Sequence, residues 1–398
     1  MMRLLCDENI VGIEALADFY QLRRAAGRGL VAADLDGAEA LWVRSVTPVD
    51  RALVAGSRLR FVGTATAGTE HVDSAALREL GIAFAAAPGA NANAVVEYVL
   101  AALAELQAPW EALEGGARLG IVGYGAVGRR LARAADALGW RVGVHDPWVA
   151  ARGGAAAAGA RFMALPELLR STVISLHCSL HARAPWPSRH LIGAGQLAAL
   201  HGEQWLINAS RGAVVDNAAL LARLRAADPP QVVLDVWEGE PDVDPQLLLC
   251  PSLRLATPHV AGYSWDSKWQ ATRMLLRAMG EAGLPVPETF PPTPPAPALQ
   301  PVAAGSAPEI ARALLRQRYC IAGDDRALRA LGRVSGAAQR RAGFDRLRRD
   351  YPQRRELRGS RAPAGAAAAQ DRRVYRGLGL LERETGFEPA TSTLARLR

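Results

Sequence analysis

Three side chains of complementary chemistry follow apolar runs in the middle of a 398-residue chain. Arg211 lies in Ile207-Asn-Ala-Ser-Arg-Gly212, Glu240 in Leu234-Asp-Val-Trp-Glu-Gly-Glu-Pro241, and His259 in Thr257-Pro-His-Val-Ala-Gly262. Histidine titrates near neutral pH and can take or return a proton. A carboxylate beside it fixes the tautomer, and an arginine offers a planar two-pronged fork to another carboxylate. The trio suits oxidation of a 2-hydroxy acid, where a hydroxyl proton must be removed as hydride leaves C2. Taken singly, each residue has an ordinary explanation as a cap, a loop histidine or a turn. The combination gains weight only if the chain also holds a hydride acceptor.

A place for one lies upstream, at Gly123-Tyr-Gly-Ala-Val-Gly128. The motif follows an apolar run and opens a helical pattern. Gly123 permits a tight turn, Gly125 lets a pyrophosphate approach the backbone, and Gly128 lets helix and strand pack closely. Ala126 and Val127 begin the helix, whose free N–H groups and positive dipole end suit phosphates. Asp146 ends the next strand, 18 residues after Gly128, where a carboxylate can accept from ribose hydroxyls. An acid there would repel a 2′-phosphate, so NAD is the expected cofactor.

These motifs need parallel strands to hold them. Short apolar runs at Leu41–Val43, Arg60–Val62 and Ile82–Ala85, with a helix at Ser74–Leu80, predict a first α/β unit. Residues 94–106 predict a long helix capped by Asn93. A second series follows: strands at Arg118–Val122, Arg141–His145, Val173–His177, Trp205–Ala209, Val232–Val236 and Leu253–Ala256. Helices are predicted over Ala126–Leu138 and 265–280. Each chemical motif falls at the carboxyl end of a strand, where open α/β sheets bind ligands. Residues 284–308 carry nine prolines in 25 positions, which predicts a linker or a surface-hugging connection. Residues 309–357 have helical composition, and from 358 the chain is rich in Arg, Ala and Gly with little periodicity.

With these motifs in view, the sequence resembles the D-isomer-specific 2-hydroxyacid dehydrogenases. The resembling segments include Cys6-Asp-Glu-Asn9, Val43-Arg-Ser-Val-Thr47, Phe61–Thr69, Arg211–Asn217, Val233–Pro241 and Thr257–Tyr263, with Gly343–Tyr351 further on. The resemblance implies a Rossmann-type doubly wound parallel sheet domain over 96–259. It also implies a flavodoxin-like α/β substrate domain from 1–95 with 260–283, and a small C-terminal α+β dimerisation domain over 309–357. It assigns Arg211, Glu240 and His259 to catalysis. It places Asp146, Ser175, Ala209, Ser210, Arg211, Asp235 and Gly262 against NAD. Arg44, Ser45, Thr66 and Tyr263 fall to the substrate, and the first three point to one that carries a phosphate. The expected partner is therefore a small phosphorylated 2-hydroxy acid, in a homodimer. Within the family a phosphoglycerate or hydroxypyruvate type is the alternative, and outside enzymes an NAD(H)-sensing corepressor-like binding protein. Residues 358–398 match nothing recognised in the family and are expected to lack order or to be misread sequence.

Composition removes other classes. Four scattered cysteines without a Cys-x-x-Cys pair argue against a disulfide framework or a thiolate metal site, and for a reducing, cytoplasmic setting. His177, Cys178 and His181 lack a fourth ligand for zinc, so no metal is expected. No apolar run reaches membrane-spanning length. The net charge of +8 arises after residue 308, where 21 arginines face 10 acids; the preceding residues are slightly acidic. That tail is poor in stacking aromatics, so nucleic acid is not an expected partner. The acid at 146 gives the first testable outcome. Steady-state kinetics should show much higher catalytic efficiency with NAD than with NADP; equal efficiencies would contradict it.

Overall fold

The computed structural model describes residues 1–153, 160–362 and 369–380. Its first sheet contains β1 (Met2–Asp7), β2 (Tyr20–Ala25), β3 (Ala40–Val43), β4 (Phe61–Thr64) and β5 (Ala83–Ala86), all parallel, in the order β2-β1-β3-β4-β5. Strands β3 and β4 are buried at every position, as a parallel sheet covered on both faces requires. On one face Leu4, Cys6, Trp42 and Phe61 meet Leu275, Leu276 and Met279. These last three belong to the helix Trp265–Glu281, so the chain returns to its first sheet after building the second. On the other face Leu5, Leu41, Val43 and Val62 pack with Leu53 and Leu77.

The second sheet holds β6 (Arg118–Val122), β7 (Arg141–His145), β8 (Arg161–Phe162), β9 (Val173–Leu176), β10 (Trp205–Asn208), β11 (Gln231–Leu234) and β12 (Leu253–Ala256). The order β12-β11-β10-β9-β6-β7-β8 reverses direction between β6 and β9. In the first sheet the reversal falls between β1 and β3. Loops leaving adjacent strands diverge at such points and open a crevice at the carboxyl edge. The architecture is thus the doubly wound Rossmann-type sheet plus a flavodoxin-like sheet that the resemblance implies.

The helix Ala92–Leu106 runs between the sheets and is buried from Ala92 to Ala104 apart from Asn93. It begins before the expected cap. Asn91 occupies the cap position without capping through its side chain, which lies against Gly262. Asn93 sits inside the first turn and bonds Glu356.

The C-terminal segment departs from expectation. Among the described residues it contains the helices Ala307–Arg316, Ile321–Gly332, Ala337–Arg349 and Ala369–Gly377 and no strand, so it is not the α+β unit expected. Ala, Leu and Arg, all strong helix formers, dominate it, and β-branched residues are few. Nor does order stop at 358. Val374, Tyr375, Leu378 and Leu380 join the core of Leu131, Ala135 and Leu138. The rest of that tail, 363–368 and 381–398, lies outside the described residues. The proline-rich stretch is irregular and hugs the surface, and its carbonyls are taken by side chains: Pro291 by Trp269 at 3.0 Å, Pro294 and Pro295 by Arg355 at 2.6 and 3.1 Å.

Residues 354–358 lace this segment to the helices Ala92–Leu106 and Trp265–Glu281 and to the loop after β12. The Arg354 guanidinium donates to the carbonyls of Ala94 (3.1 Å) and Ala261 (2.6 Å) and lies 4.2 Å above the Tyr319 ring. Arg355 forms a two-pronged pair with Asp266 at 2.9 and 3.0 Å, and the Glu356 N–H donates to the same carboxylate at 2.9 Å. Leu357 and Arg358 donate their N–H groups to Glu97. Charge-assisted hydrogen bonds contribute about 1.5–3 kcal/mol each. Asp266→Ala should therefore lower unfolding free energy by roughly 2–3 kcal/mol in denaturant titration; a loss under about 0.5 kcal/mol would mean that this lacing adds nothing to stability.

Candidate active site

The loop after β12 owes its shape to the carboxylate of Asp235, 1% exposed at the end of β11. Asp235 accepts from Thr257 Oγ1 (2.7 Å) and from the N–H groups of Val260 (2.7 Å) and Ala261 (2.9 Å). Its own carbonyl takes the His259 N–H at 2.7 Å. Burial pushes this carboxyl upward, and the Thr257 hydroxyl, the two N–H groups and His259 oppose that. Held this way, His259 adopts φ +57°, a left-handed conformation that costs a side-chain-bearing residue energy and persists only when neighbours enforce it. The ring Nδ1 then meets Glu240 Oε1, which leaves Nε2 available for a proton transfer. Burial alone would raise Glu240; the charge and hydrogen bond of His259, with Arg348 and the Trp237 N–H, outweigh it and hold the carboxyl below its usual value.

A cleft of about 1010 Å³ opens at the reversal between β6 and β9. The three glycines meet three different demands. Gly123 has φ +92°, and a Cβ there would strike the His177 backbone at 2.6 Å. A Cβ on Gly128 would lie 2.0 Å from the Gly123 carbonyl oxygen. Gly125 alone faces open space, bordered by Ala126 and Val127 at the start of the helix Ala126–Ala137. Backbone donors around an empty concavity fit a dinucleotide pyrophosphate. Asp146 lines the cleft and accepts from the N–H groups of Tyr124 (2.8 Å) and Val149 (2.9 Å). Beyond it Trp148 packs edge-on against Trp186, ring centres 5.1 Å apart, with the Arg183 guanidinium 5.6 Å from the Trp148 ring. These groups form an aromatic wall suited to an adenine.

Ala209, Ser210 and Arg211 line this cleft and also the smaller cavity beside it, of about 160 Å³. Asp235 and Gly262 line only the smaller one. Ser175, expected against the cofactor, lines neither: it is fully buried, and its Oγ bonds His177 Nε2 at 2.8 Å. His177 is the residue that reaches the cleft wall. Burial pushes its imidazole down to about 3 and the neighbouring Cys178 thiol up to about 12, so both are neutral.

The smaller cavity gathers Arg44, Ser45, Thr66, Arg211, His259 and Tyr263. Arg211 donates from Nε to Glu70 at 2.9 Å and from Nη1 to the Ser210 carbonyl at 2.9 Å, which aims the guanidinium before any ligand arrives. At the other end three cations surround one ring. Arg44, Lys268 and Arg348 lie 5.6, 5.5 and 5.5 Å from the Tyr263 centroid. The Tyr263 hydroxyl accepts from Arg44 (2.7 Å) and Arg348 (3.0 Å). Asp7 stands 3.7 Å from Arg44, and the buried Arg348 Nε has no partner among the described residues.

The family model "D-isomer specific 2-hydroxyacid dehydrogenase, NAD binding domain" matches residues 105–261. Erythronate-4-phosphate dehydrogenase of Ectopseudomonas mendocina is 45% identical over 386 residues, covering 95% of this chain and 99% of its own. That of Pseudomonas aeruginosa is 43% identical over 390 residues, with coverage of 95% and 99%. The chain belongs to the erythronate-4-phosphate dehydrogenase family. It is accordingly an NAD-dependent oxidoreductase acting on a CH–OH group. A glyoxylate reductase from Paecilomyes thermophila superposes with a TM-score of 0.57 at 27% identity, over 72% of this chain and 98% of its own. The D-lactate dehydrogenase of Aquifex aeolicus, complexed with NAD and lactic acid, shares the fold at 22% identity and a TM-score of 0.57, over 71% and 96%. The family's span also corrects the expectation for the tail. Were all of 358–398 without counterpart, coverage could not exceed about 90%, below the 95% found.

Sequence reasoning did not single out Asp7, Glu70, Lys268 or Arg348 for this site, although Asp7 and Arg348 stand inside segments that carry the family resemblance. Lys268 had a signal of its own, as the single lysine among 47 basic residues. Burial, then Arg44, pulls its ammonium down to about 8. It is charged below that pH and loses its charge as pH rises through it. The kcat/KM for an anionic substrate should therefore fall above pH 8, and Lys268→Arg should shift that limb upward by two units or more. An unmoved limb would assign it to another group.

Proposed function

We propose that the chain oxidises C2 of 4-phospho-D-erythronate, giving (R)-3-hydroxy-2-oxo-4-phosphobutanoate, in pyridoxine biosynthesis. The observation that carries this reading is the convergence of Arg44, Lys268 and Arg348 on Tyr263 beside His259. With Arg211 they make four cations for a substrate bearing a dianionic phosphate and a carboxylate. Ser45 and Thr66 add hydroxyls. Arg211 takes the C1 carboxylate as a two-pronged fork, and its bond to Glu70 sets the approach.

NAD, when bound, supplies the hydride acceptor. Hydride leaves C2 as the C2 hydroxyl proton passes to His259 Nε2, and the C2–O bond becomes a carbonyl. The imidazolium so formed faces Glu240 through Nδ1, which balances the new charge without moving. The residues proposed for the dinucleotide are Gly123, Gly125, Ala126, Val127, Gly128 and Asp146, with Ala209–Arg211, Asp235 and Gly262 toward the reacting end.

The same reading takes the first sheet with the helix Trp265–Glu281 as the substrate domain and the second as the cofactor domain. The C-terminal helices would serve a homodimer, a role that rests on resemblance alone. Four free cysteines support a cytoplasmic setting, and among the described residues no helix is long and apolar enough to cross a membrane. A glyoxylate or hydroxypyruvate substrate would bring no phosphate to the three cations at Tyr263, whose charge Asp7 offsets only in part, which disfavours that alternative.

Two variants assayed on two substrates test the reading. Arg44→Ala should lower kcat/KM for phosphoerythronate about 10–100-fold while sparing a non-phosphorylated 2-hydroxy acid. Arg211→Ala should impair both, since both carry the C1 carboxylate. Equal losses with Arg44→Ala would make Arg44 structural. Tight NADH binding without turnover of either acid by the wild type would favour a sensor over an enzyme.

A further inference from the structure

A second charged cavity, of about 570 Å³, lies where the helices Ala92–Leu106 and Ala126–Ala137 meet the C-terminal segment. Its wall carries Arg129, Arg130 and Arg133 from one helix, with Arg358 and Arg376 from the tail. Positions 129 and 133 are one turn apart on the same face, with 130 beside them. Elsewhere in the protein arginines meet carboxylates, as Arg316 meets Glu105, Arg329 meets Asp325 and Arg355 meets Asp266. Here they do not. Among the described residues no carboxylate pairs with Arg129, Arg130, Arg133 or Arg358. Arg129 and Arg130 reach only the carbonyls of Gly125 (3.4 Å) and Ala126 (3.1 Å), and Arg129 also lies 6.0 Å from the Tyr124 ring.

Among the described residues the one carboxyl on the wall, Glu97, accepts the N–H groups of Leu357 and Arg358. Burial, then Glu356, holds it well above the usual carboxylate range, so it supplies little negative charge. Burial and the nearness of Arg358 and Arg133 also depress Arg130. An arginine-rich composition accounts for the number of arginines but not for five around one concavity.

We propose that this cavity binds a small polyanion of the di- or polyphosphate class, at a site separate from the cofactor cleft. Among the described residues no aromatic side chain lines it to stack a base, and the concave wall suits a compact ligand better than a duplex or a membrane. Ala126 borders both cavities, so the two anion sites lie on opposite sides of one helical turn.

The test is calorimetric titration of inorganic tripolyphosphate into protein saturated with NAD, so that the cofactor's own phosphate site is filled. One site per chain is expected beyond any taken up at the Tyr263 cluster, and it is the component that the variants below remove. Arg133→Ala with Arg358→Ala should weaken it at least tenfold, leaving NAD affinity and turnover within about twofold. Arg133→Lys with Arg358→Lys should keep most of the affinity, which separates local charge from a folding defect. If the alanine pair does not fold, Arg133→Glu alone, at an exposed helical position, reads the same loss. Absence of saturable heat, equal affinity in the charge-removing variants, or equal displacement by chloride at matched ionic strength would overturn the proposal.

Discussion

The buried carboxylate of Asp235 is the knot on which the catalytic end depends. A carboxylate removed from water is costly unless donors surround it, and this one recruits its donors from the turn that bears His259. The Thr257 hydroxyl it holds is shared with Tyr98, at 2.8 Å, on the helix between the sheets. The Thr257 carbonyl takes the Trp237 indole N–H at 3.0 Å. One desolvated charge thereby fixes the end of β11, the turn after β12 and the helix that joins the two sheets. Glu240 and His259 can meet only because that turn is already closed.

Around this rigid point the charges are arranged in partly matched pairs. Arg211 leans on Glu70 and Arg44 stands near Asp7, so the cations are aimed while retaining excess positive charge for a ligand. The lone tyrosine between Arg44, Lys268 and Arg348 offers its ring face and hydroxyl oxygen, which lets three like charges approach one another. A dianion bound there would relieve the remaining repulsion, which is how the proposed site would favour a phosphorylated acid.

Much of this was readable from sequence because local rules and global fold agree. The glycine motif, the strand ends and Asp146 follow from backbone geometry, and strands such as β6, β7 and β12 fall where the apolar runs predict. Strands β1 and β2 were not anticipated: Tyr20–Ala25 carries two arginines in succession, which breaks the alternation and masks an edge strand. Arg348 and Lys268 reach the site from helices far along the chain, and neither the rarity of lysine nor the resembling segment around 348 says which way those helices face. The order of residues 369–380 was missed because composition describes what a segment contains, whereas its helix is stabilised by Leu131, Ala135 and Leu138 far away in sequence. Ser175 was misplaced because a strand position one residue from a loop can face inward.

The site draws its parts from widely separated stretches of chain, and Arg348 comes last, beyond the proline-rich connection. A ribosome therefore delivers Asp7, Arg44 and Thr66 first, then the glycine-rich turn with Asp146, then the trio of Arg211, Glu240 and His259, and only much later Arg348. The end of the site proposed to discriminate among acids is thus begun before the dinucleotide site and completed after it, when the final helices dock.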